Sequence, residues 1–514
     1  MKKVSEMTLK EKIGQLVVCG FKSPYYDEQI EELVNNYNVG NVILFTRNYE
    51  GAKELKKLNK ELYQKIEEKT GLIPLIAIDQ EGGPVTRLMK DVTFPPSQMT
   101  TSATAFPKAA YEAGKMIGRD MIMLGLNWNL APCLEINDGL KMFVHNVRSY
   151  GSDKEKCASL AHDFSKGLKE YGVMGCLKHF PGSGDSKVDS HLDLPVLSTP
   201  LERLLDHNLV PFKANLDTKS IMTAHVVFND IDKKYPSTLS KKVLKGILRD
   251  TLGYDGIVVS DCTEMKAIEN YYGTGRGSAL ALIAGCDMVL ACHTLEKQKE
   301  CFEAIYESVE KGELTEEEID KKLDRIVRAK EEIKPYLDKY FFNDDSYEID
   351  PKSVWISQKI VDESITLVKG KLPLLKEDTM VLAPVASVSS IVEDEFSERD
   401  LSKALKKKFN NLIYKFSDDE GFKEEVLSKL NDVDEVIIFS YDANKSDIQK
   451  ELINKIIEEK KDKAFLISLK GPMDLCLFEE IENYSVLYEY TPNSINSVIK
   501  YISGLIDAKG HLPL

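Results

Sequence analysis

The run Val173-Met174-Gly175-Cys176-Leu177 leads into Lys178-His179-Phe180-Pro181-Gly182-Ser183-Gly184-Asp185, and Asp189-Ser190-His191 follows at once. The first five residues are apolar enough for a buried strand. Behind them come two cations or potential cations, a tight Pro/Gly turn and an Asp-x-His pair. Such a cluster, placed where a buried strand gives way to a loop, is where α/β enzymes keep their chemistry. A structural loop needs none of these groups. A site that grips a polar substrate and moves a proton needs all of them.

The same pattern recurs on both sides of this stretch. Short apolar runs at 16–21, 39–45, 75–79, 127–136, 173–179, 221–228, 256–261 and 286–291 read as strands, most of them followed by helical spacing as in 158–171 and 295–311. Eight βα units in about 300 residues predict an α/β chain built on a (β/α)8 TIM-like barrel. Capping boxes mark helix starts at Thr8 with Glu11 and at Thr315 with Glu318. The helix from Thr315 to about Lys330 is expected to close this domain. The acidic, polar stretch 343–352 is the expected linker, which divides the chain into a barrel at 1–342 and a second unit at 353–514. In the second unit, runs at 380–383, 412–416, 435–440, 464–469 and 485–490 alternate with helices such as 446–460, which predicts a second α/β domain with a parallel sheet. It carries neither a dinucleotide fingerprint nor a P-loop.

Composition sets the outer limits. At 514 residues the chain is too long for one core, and its 43% hydrophobic and 29% charged residues are those of a soluble globular protein. A net charge of -15 and a pI near 5.3 argue against nucleic acid or an anionic membrane as partner. The nine cysteines are dispersed with no CxxC pair, the pattern of reduced thiols in a cytosol. The first residues lack the apolar core of a signal peptide, and no apolar run approaches the roughly 20 residues that span a bilayer. A cytoplasmic protein is expected, a monomer or homodimer. No cluster has metal-ligand spacing in the sequence, so no cofactor is expected.

Polar groups collect at the ends of the candidate strands. The third ends in Asp79-Gln80-Glu81-Gly82-Gly83 and runs on to Arg87; the fourth is followed by Asn146-Val147-Arg148-Ser149. The fifth supplies Lys178 and His179, the sixth Thr223-Ala224-His225, and the seventh Ser260-Asp261. A barrel brings these to one face. Asp79 has two oxygens for two sugar hydroxyls, and the Arg and Lys side chains suit others. Asp189 and His191 project to the same side of an extended loop, so the carboxylate holds one imidazole nitrogen and the other exchanges protons with substrate. Asp261 closes an apolar strand, with Lys178 as the neighbour expected to keep it ionised. A nucleophilic carboxylate with a separate proton donor is the logic of a retaining glycosidase. His225 divides evenly between sugar binding and support near its strand end. With Trp128 and Trp355 as the only tryptophans, a long aromatic polysaccharide track is not expected.

Taken together these segments resemble glycoside hydrolase family 3, and within it the bacterial β-N-acetylglucosaminidases. The resemblance rests on 79–88 (DQEGGPVTRL), Arg148-Ser149-Tyr150-Gly151, Lys178-His179-Phe180-Pro181-Gly182, 189–195 (DSHLDLP), Met222-Thr223-Ala224-His225 and Ser260-Asp261. It covers the barrel and continues more weakly through 364–368 and 510–513 into what would be the family's α/β sandwich domain. It implies Asp261 as a nucleophile forming a glycosyl-enzyme, and His191 as general acid/base oriented by Asp189. It implies Asp79, Arg87, Arg148, Lys178 and His179 as ligands of a GlcNAc unit. The family's β-glucosidases lack the Asp-x-His pair, so its presence favours the hexosaminidase branch. Departures are Ser183 where the family usually has His, Pro84 where it has Arg, and Cys262. The resulting expectation is an exo-β-N-acetylglucosaminidase acting on small carbohydrates such as GlcNAc-MurNAc or muropeptides in peptidoglycan recycling. A phosphorylase on the same glycosides, a β-glucosidase and a non-catalytic sugar sensor are the alternatives.

Overall fold

The computed structural model describes residues 1–139, 146–183, 190–343, 346–384 and 400–514. All eight expected barrel strands form: β1 Val17–Cys19, β2 Asn41–Leu44, β3 Leu75–Ile78, β4 Trp128–Asn129, β5 Met174–Phe180, β6 Ser220–Thr223, β7 Ile257–Cys262 and β8 Met288–Ala291. Each pairs in parallel with its sequence neighbours, and β1 closes on β8 through Val17–Val289. Parallel strands covered by helices are buried on both faces, which is why each reads as a short continuous apolar run.

Strand ends are where sequence and structure part. The run 127–136 keeps only Trp128–Asn129 in the ladder. Pro132 has no N–H to donate, and beyond it the chain crosses to β5 by a single bridge from Cys133 to Lys178. The run 221–228 divides into β6 and a separate pair, Val227–Phe228 against Val196–Leu197. Both expected capping boxes are present, at Thr8 with Glu11 and Thr315 with Glu318. The helix that Thr315 starts runs on to Leu337, past the end expected near Lys330. Trp128 is buried, its indole N–H donating to Ser220 Oγ at 2.9 Å across the barrel interior. No helix among the described residues is long and apolar enough to cross a membrane.

The second unit holds a six-stranded sheet. Its strands are β9 Thr366–Lys369, β10 Thr379–Ala383, β11 Ile413–Lys415, β12 Glu435–Ser440, β13 Ala464–Ser468 and β14 Asn483–Val486, in the order β9-β14-β13-β12-β10-β11. Five are parallel, as expected; β9, which the sequence reading left out, adds an antiparallel edge on β14. Alternation along the strands sets two faces. Val381, Ile437 and Phe439 pack one way with the helix Pro492–Ile502, whereas Met380, Leu382, Val436 and Ile438 join Met99, Ala103 and Val147 from the barrel side. The helix Pro351–Asp362 begins inside the 343–352 stretch and serves both units. Its Ile356 and Ile360 join the barrel core, and Gln358 donates to Ser497 Oγ at 2.9 Å.

Buried polar contacts fasten the two units. Glu489, just beyond β14, accepts from Ser97 N at 2.7 Å and Thr100 Oγ1 at 2.8 Å at the start of the helix Gln98–Ala103. A carboxylate at a helix N-terminus also meets the positive end of its dipole. At the chain's end, Ser152 N donates to Pro513 O at 3.0 Å beside Gly151. Gly151 has φ 127°, and a Cβ there would sit 1.9 Å from that carbonyl, so only glycine fits. Glu489→Ala should leave the Ser97 N–H buried and unpaired and lower folding stability by about 1–3 kcal/mol. Thermal unfolding of the full chain checks this, with Glu489→Gln expected to retain part of the loss-prone contact.

Candidate active site

The C-terminal ends of the barrel strands carry one connected set of charges. Asp79 follows β3 directly. Glu81 stands in a hairpin of Gln80–Gly82 against Val85–Thr86. An amide clamp fixes the start of that hairpin: Asn129 Oδ1 accepts from Gln80 N at 3.1 Å and Asn129 Nδ2 donates to Gln80 O at 3.0 Å. Gly82 adopts φ 100°, and a Cβ there would meet Pro96 O at 2.1 Å.

Lys178, on β5, lies between the two acids. Its Nζ is 2.7 Å from Asp79 Oδ1 and 2.7 Å from Glu81 Oε1, and its side chain is only 3% exposed. Arg148 grips Glu81 from the other side, Nε to Oε2 at 2.9 Å and an Nη to Oε1 at 2.8 Å. Arg87 reaches Asp79 Oδ2 at 3.5 Å. The five residues form a single, largely buried network in which every charge has an opposite partner.

His179 is held by a residue that sequence reasoning missed. Glu135 is fully buried, and its Oε1 accepts from His179 Nδ1 at 2.9 Å, His179 N at 3.0 Å and Ser183 Oγ at 3.3 Å. A carboxylate oxygen accepts, so Nδ1 carries the proton and Nε2 faces Asp261, 3.9 Å from its Oδ2. Ser183, one of the departures noted above, thus takes part in holding the His179 support. No sequence signal marked Glu135, which lies in the irregular stretch after β4. The peptides Lys178–His179 and Phe180–Pro181 are cis.

Asp261 closes the constellation. Its Oδ1 accepts from Cys262 N at 2.7 Å. Burial alone would raise its pKa, but the imidazoles of His179, His225 and His191, with the Cys262 N–H, outweigh this and hold it below the usual carboxylate value. The expectation that Lys178 keeps Asp261 ionised is corrected here: Lys178 is committed to Asp79 and Glu81, and the histidines do that work. His225 is buried, its Nδ1 2.8 Å from Thr238 Oγ1 and its Nε2 3.0 Å from Cys262 O, so both ring nitrogens are engaged by the protein. His191 is near enough for its charge to act on Asp261, His225 and His293. Asp189 lies outside the described residues.

Residues 8–329 match the glycosyl hydrolase family 3 N terminal domain. The chain belongs to glycosyl hydrolase family 3. It is 33% identical over 287 residues to the beta-hexosaminidase of Haemophilus influenzae, covering 54% of this chain and 80% of that protein. It is 29% identical over 328 residues to beta-hexosaminidase A of Pseudoalteromonas piscicida, where the match covers 59% of this chain and 55%, about half, of that longer relative. The structure of a family 3 beta-N-acetylglucosaminidase from Paenibacillus sp. str. FPU-7 superposes with a TM-score of 0.92 at 34% identity, covering 99% of this chain and 98% of the other.

Among the described residues, two groups of ligating side chains come together that no sequence spacing announced. One, Cys133 with Glu135 and His179, belongs to the network above; the other is Cys262 with Cys292 and His293. The network itself carries stability. Burial would raise the Glu81 pKa, but Arg148 and Lys178 pull it far below the usual 4.5. A depressed carboxylate contributes its stability above that ordinary value and loses it as pH falls toward the folded-state value. Glu81→Gln leaves two buried cations under-compensated and should cost about 3–5 kcal/mol at neutral pH. The variant should also lose part of the acid-dependent decline below pH 4.5, measured as thermal midpoint against pH.

Proposed function

We propose that this family 3 hydrolase is a retaining exo-β-N-acetylglucosaminidase that removes terminal β-linked GlcNAc from small cell-wall fragments such as GlcNAc-MurNAc and muropeptides. The reading is carried by Asp261 at the end of β7, its Oδ2 3.9 Å from His179 Nε2 and its carboxyl held below the ordinary carboxylate value by the charges of His179, His225 and His191. The likeness along nearly the whole chain to a β-N-acetylglucosaminidase supports the choice of sugar.

In this reading an Asp261 oxygen attacks the anomeric carbon, the glycosidic C–O bond breaks, and the leaving oxygen takes a proton from His191. Water then gives a proton to His191 and its oxygen to the anomeric carbon, which releases Asp261. Asp189 orients His191. Asp79, Arg87, Lys178, Arg148 and His179 bind or frame the sugar, with Glu81 and Glu135 holding the last three in place. His225 acts as a support: it fixes the Cys262 carbonyl, and the Cys262 N–H holds Asp261. The division into a barrel at 1–342, a linker at 343–352 and a second domain at 353–514, work in peptidoglycan recycling, and a cytoplasmic location belong to the same proposal.

Asp261→Asn should abolish turnover of every substrate. His191→Ala should slow natural disaccharides about 10²–10⁴-fold, yet slow the first step on a nitrophenyl glycoside far less, because that leaving group needs no proton. The pre-steady-state burst of nitrophenol, set against release of reducing sugar from the disaccharide, checks this, and a burst slowed as much as disaccharide cleavage would count against His191 as proton donor. Since histidine contacts hold the Asp261 pKa down, its protonation should limit activity only below its ordinary 3.8, so an acid limb near neutrality belongs to another group.

A further inference from the structure

β7 and β8 bring together three side chains that the glycosidase reading leaves unused. Cys262 ends β7, and Cys292 and His293 follow β8, its parallel neighbour. One ligating atom from each, two Sγ and an imidazole nitrogen, lie within 4.8 Å of one another. Both thiols are buried, and His293 is exposed, so the trio meets solvent on its imidazole side. A single buried thiol packs as a small apolar group. Two thiols and an imidazole converging on one point form a ligand set.

We infer that Cys262, Cys292 and His293 bind one thiophilic divalent cation of the zinc type, and that its binding slows turnover at Asp261.

Geometry supports this first. Zinc takes sulfur at about 2.3 Å and imidazole nitrogen at about 2.0–2.1 Å in a tetrahedron. Ligand-to-ligand edges in such a site are roughly 3.5–4 Å, so a 4.8 Å span closes by small side-chain rotations. Donor type comes next: two sulfurs and an imidazole suit zinc, cadmium or cobalt, and poorly suit magnesium or calcium. Three protein ligands leave a fourth position to water.

Charge also balances. Each thiol releases its proton to solvent as its sulfur takes the ion, which sheds water in exchange, and the two thiolates neutralise the dication. Arg47 donates to Cys292 O at 2.8 Å and lies 3.2 Å from His293 Nδ1. Glu264 offsets it, accepting from His293 N at 2.7 Å.

The coupling to Asp261 runs through one residue. The Cys262 N–H donates to Asp261 Oδ1 at 2.7 Å, and the Cys262 carbonyl meets His225 Nε2 at 3.0 Å. An ion that draws the Cys262 side chain toward β8 pulls on both peptide groups that fix the proposed nucleophile and its support.

The test uses full-length protein, reduced and stripped with a chelator, titrated without oxygen. Cobalt(II) is the spectroscopic probe, and zinc is added during turnover of a nitrophenyl β-GlcNAc. One equivalent of cobalt should produce a thiolate-to-cobalt charge-transfer band with strong tetrahedral ligand-field bands, and zinc should displace it. Zinc should slow turnover of the parent protein. Cys292→Ser and His293→Gln should keep basal turnover, and Cys292→Ser should lose the thiolate band. Both should need at least about 10–100-fold more zinc for the same inhibition. Absence of a thiolate band at one equivalent would overturn the site. Inhibition that persists unchanged in Cys292→Ser would place the ion on the catalytic carboxylate and histidines instead, and a band without any effect on turnover would also overturn the coupling. The coupling rests on the glycosidase reading but the band does not, so a band in a protein inactive on every glycoside would strike that reading alone.

Discussion

A buried ammonium group sets the terms for this site. Lys178 has almost no contact with solvent and sits 2.7 Å from each of two carboxylates, Asp79 and Glu81. Leaving such a charge without partners would cost several kcal/mol, so β5 must bring both acids to it. That requirement explains the hairpin after β3, the glycine that lets it turn, and Arg148 on the far side of Glu81. It also separates the roles of the charged residues. With Lys178 and Arg148 neutralised by Asp79 and Glu81, Asp261 is left to the histidines.

The second domain enters the same frame by a chain of contacts. Glu489 fixes the first turn of the helix Gln98–Ala103. From that helix Gln98 grips Cys133, donating to its carbonyl at 2.7 Å and accepting from its N–H at 2.8 Å. Cys133 bridges to Lys178 and lies two residues before Glu135, which positions His179. Apolar packing follows the same route, since Met99, Ala103 and Val147 share a core with the second sheet. The second domain therefore buttresses the strand that carries Lys178 and His179.

Most of the barrel was legible in the sequence because strands buried on both faces read as apolar runs. Their ends were not, because backbone pairing, such as the loss of a donor at Pro132, decides them. β9 escaped notice since an edge strand of four residues carries little pattern. In the site, Asp79, Lys178, Arg148 and Asp261 stood out as charges at strand ends. Glu135 did not: its partner is 44 residues away, and nothing local marks it. The Lys178–Asp261 pairing failed for a related reason, because sequence places a cation near a mouth without saying which of several acids claims it. Cys262 and Cys292 meet only because β7 and β8 are neighbours, a fact of topology that no spacing rule contains.

Everything proposed for catalysis turns on Asp261 bonding to the sugar. His191→Ala should form the glycosyl-enzyme readily from a nitrophenyl β-GlcNAc and hydrolyse it slowly, so the intermediate should accumulate. Rapid acid quenching followed by peptide mass mapping reads it directly. One GlcNAc residue is expected on the peptide containing Asp261, absent when Asp261→Asn is added. A sugar on another residue, or turnover by the double variant, would contradict it.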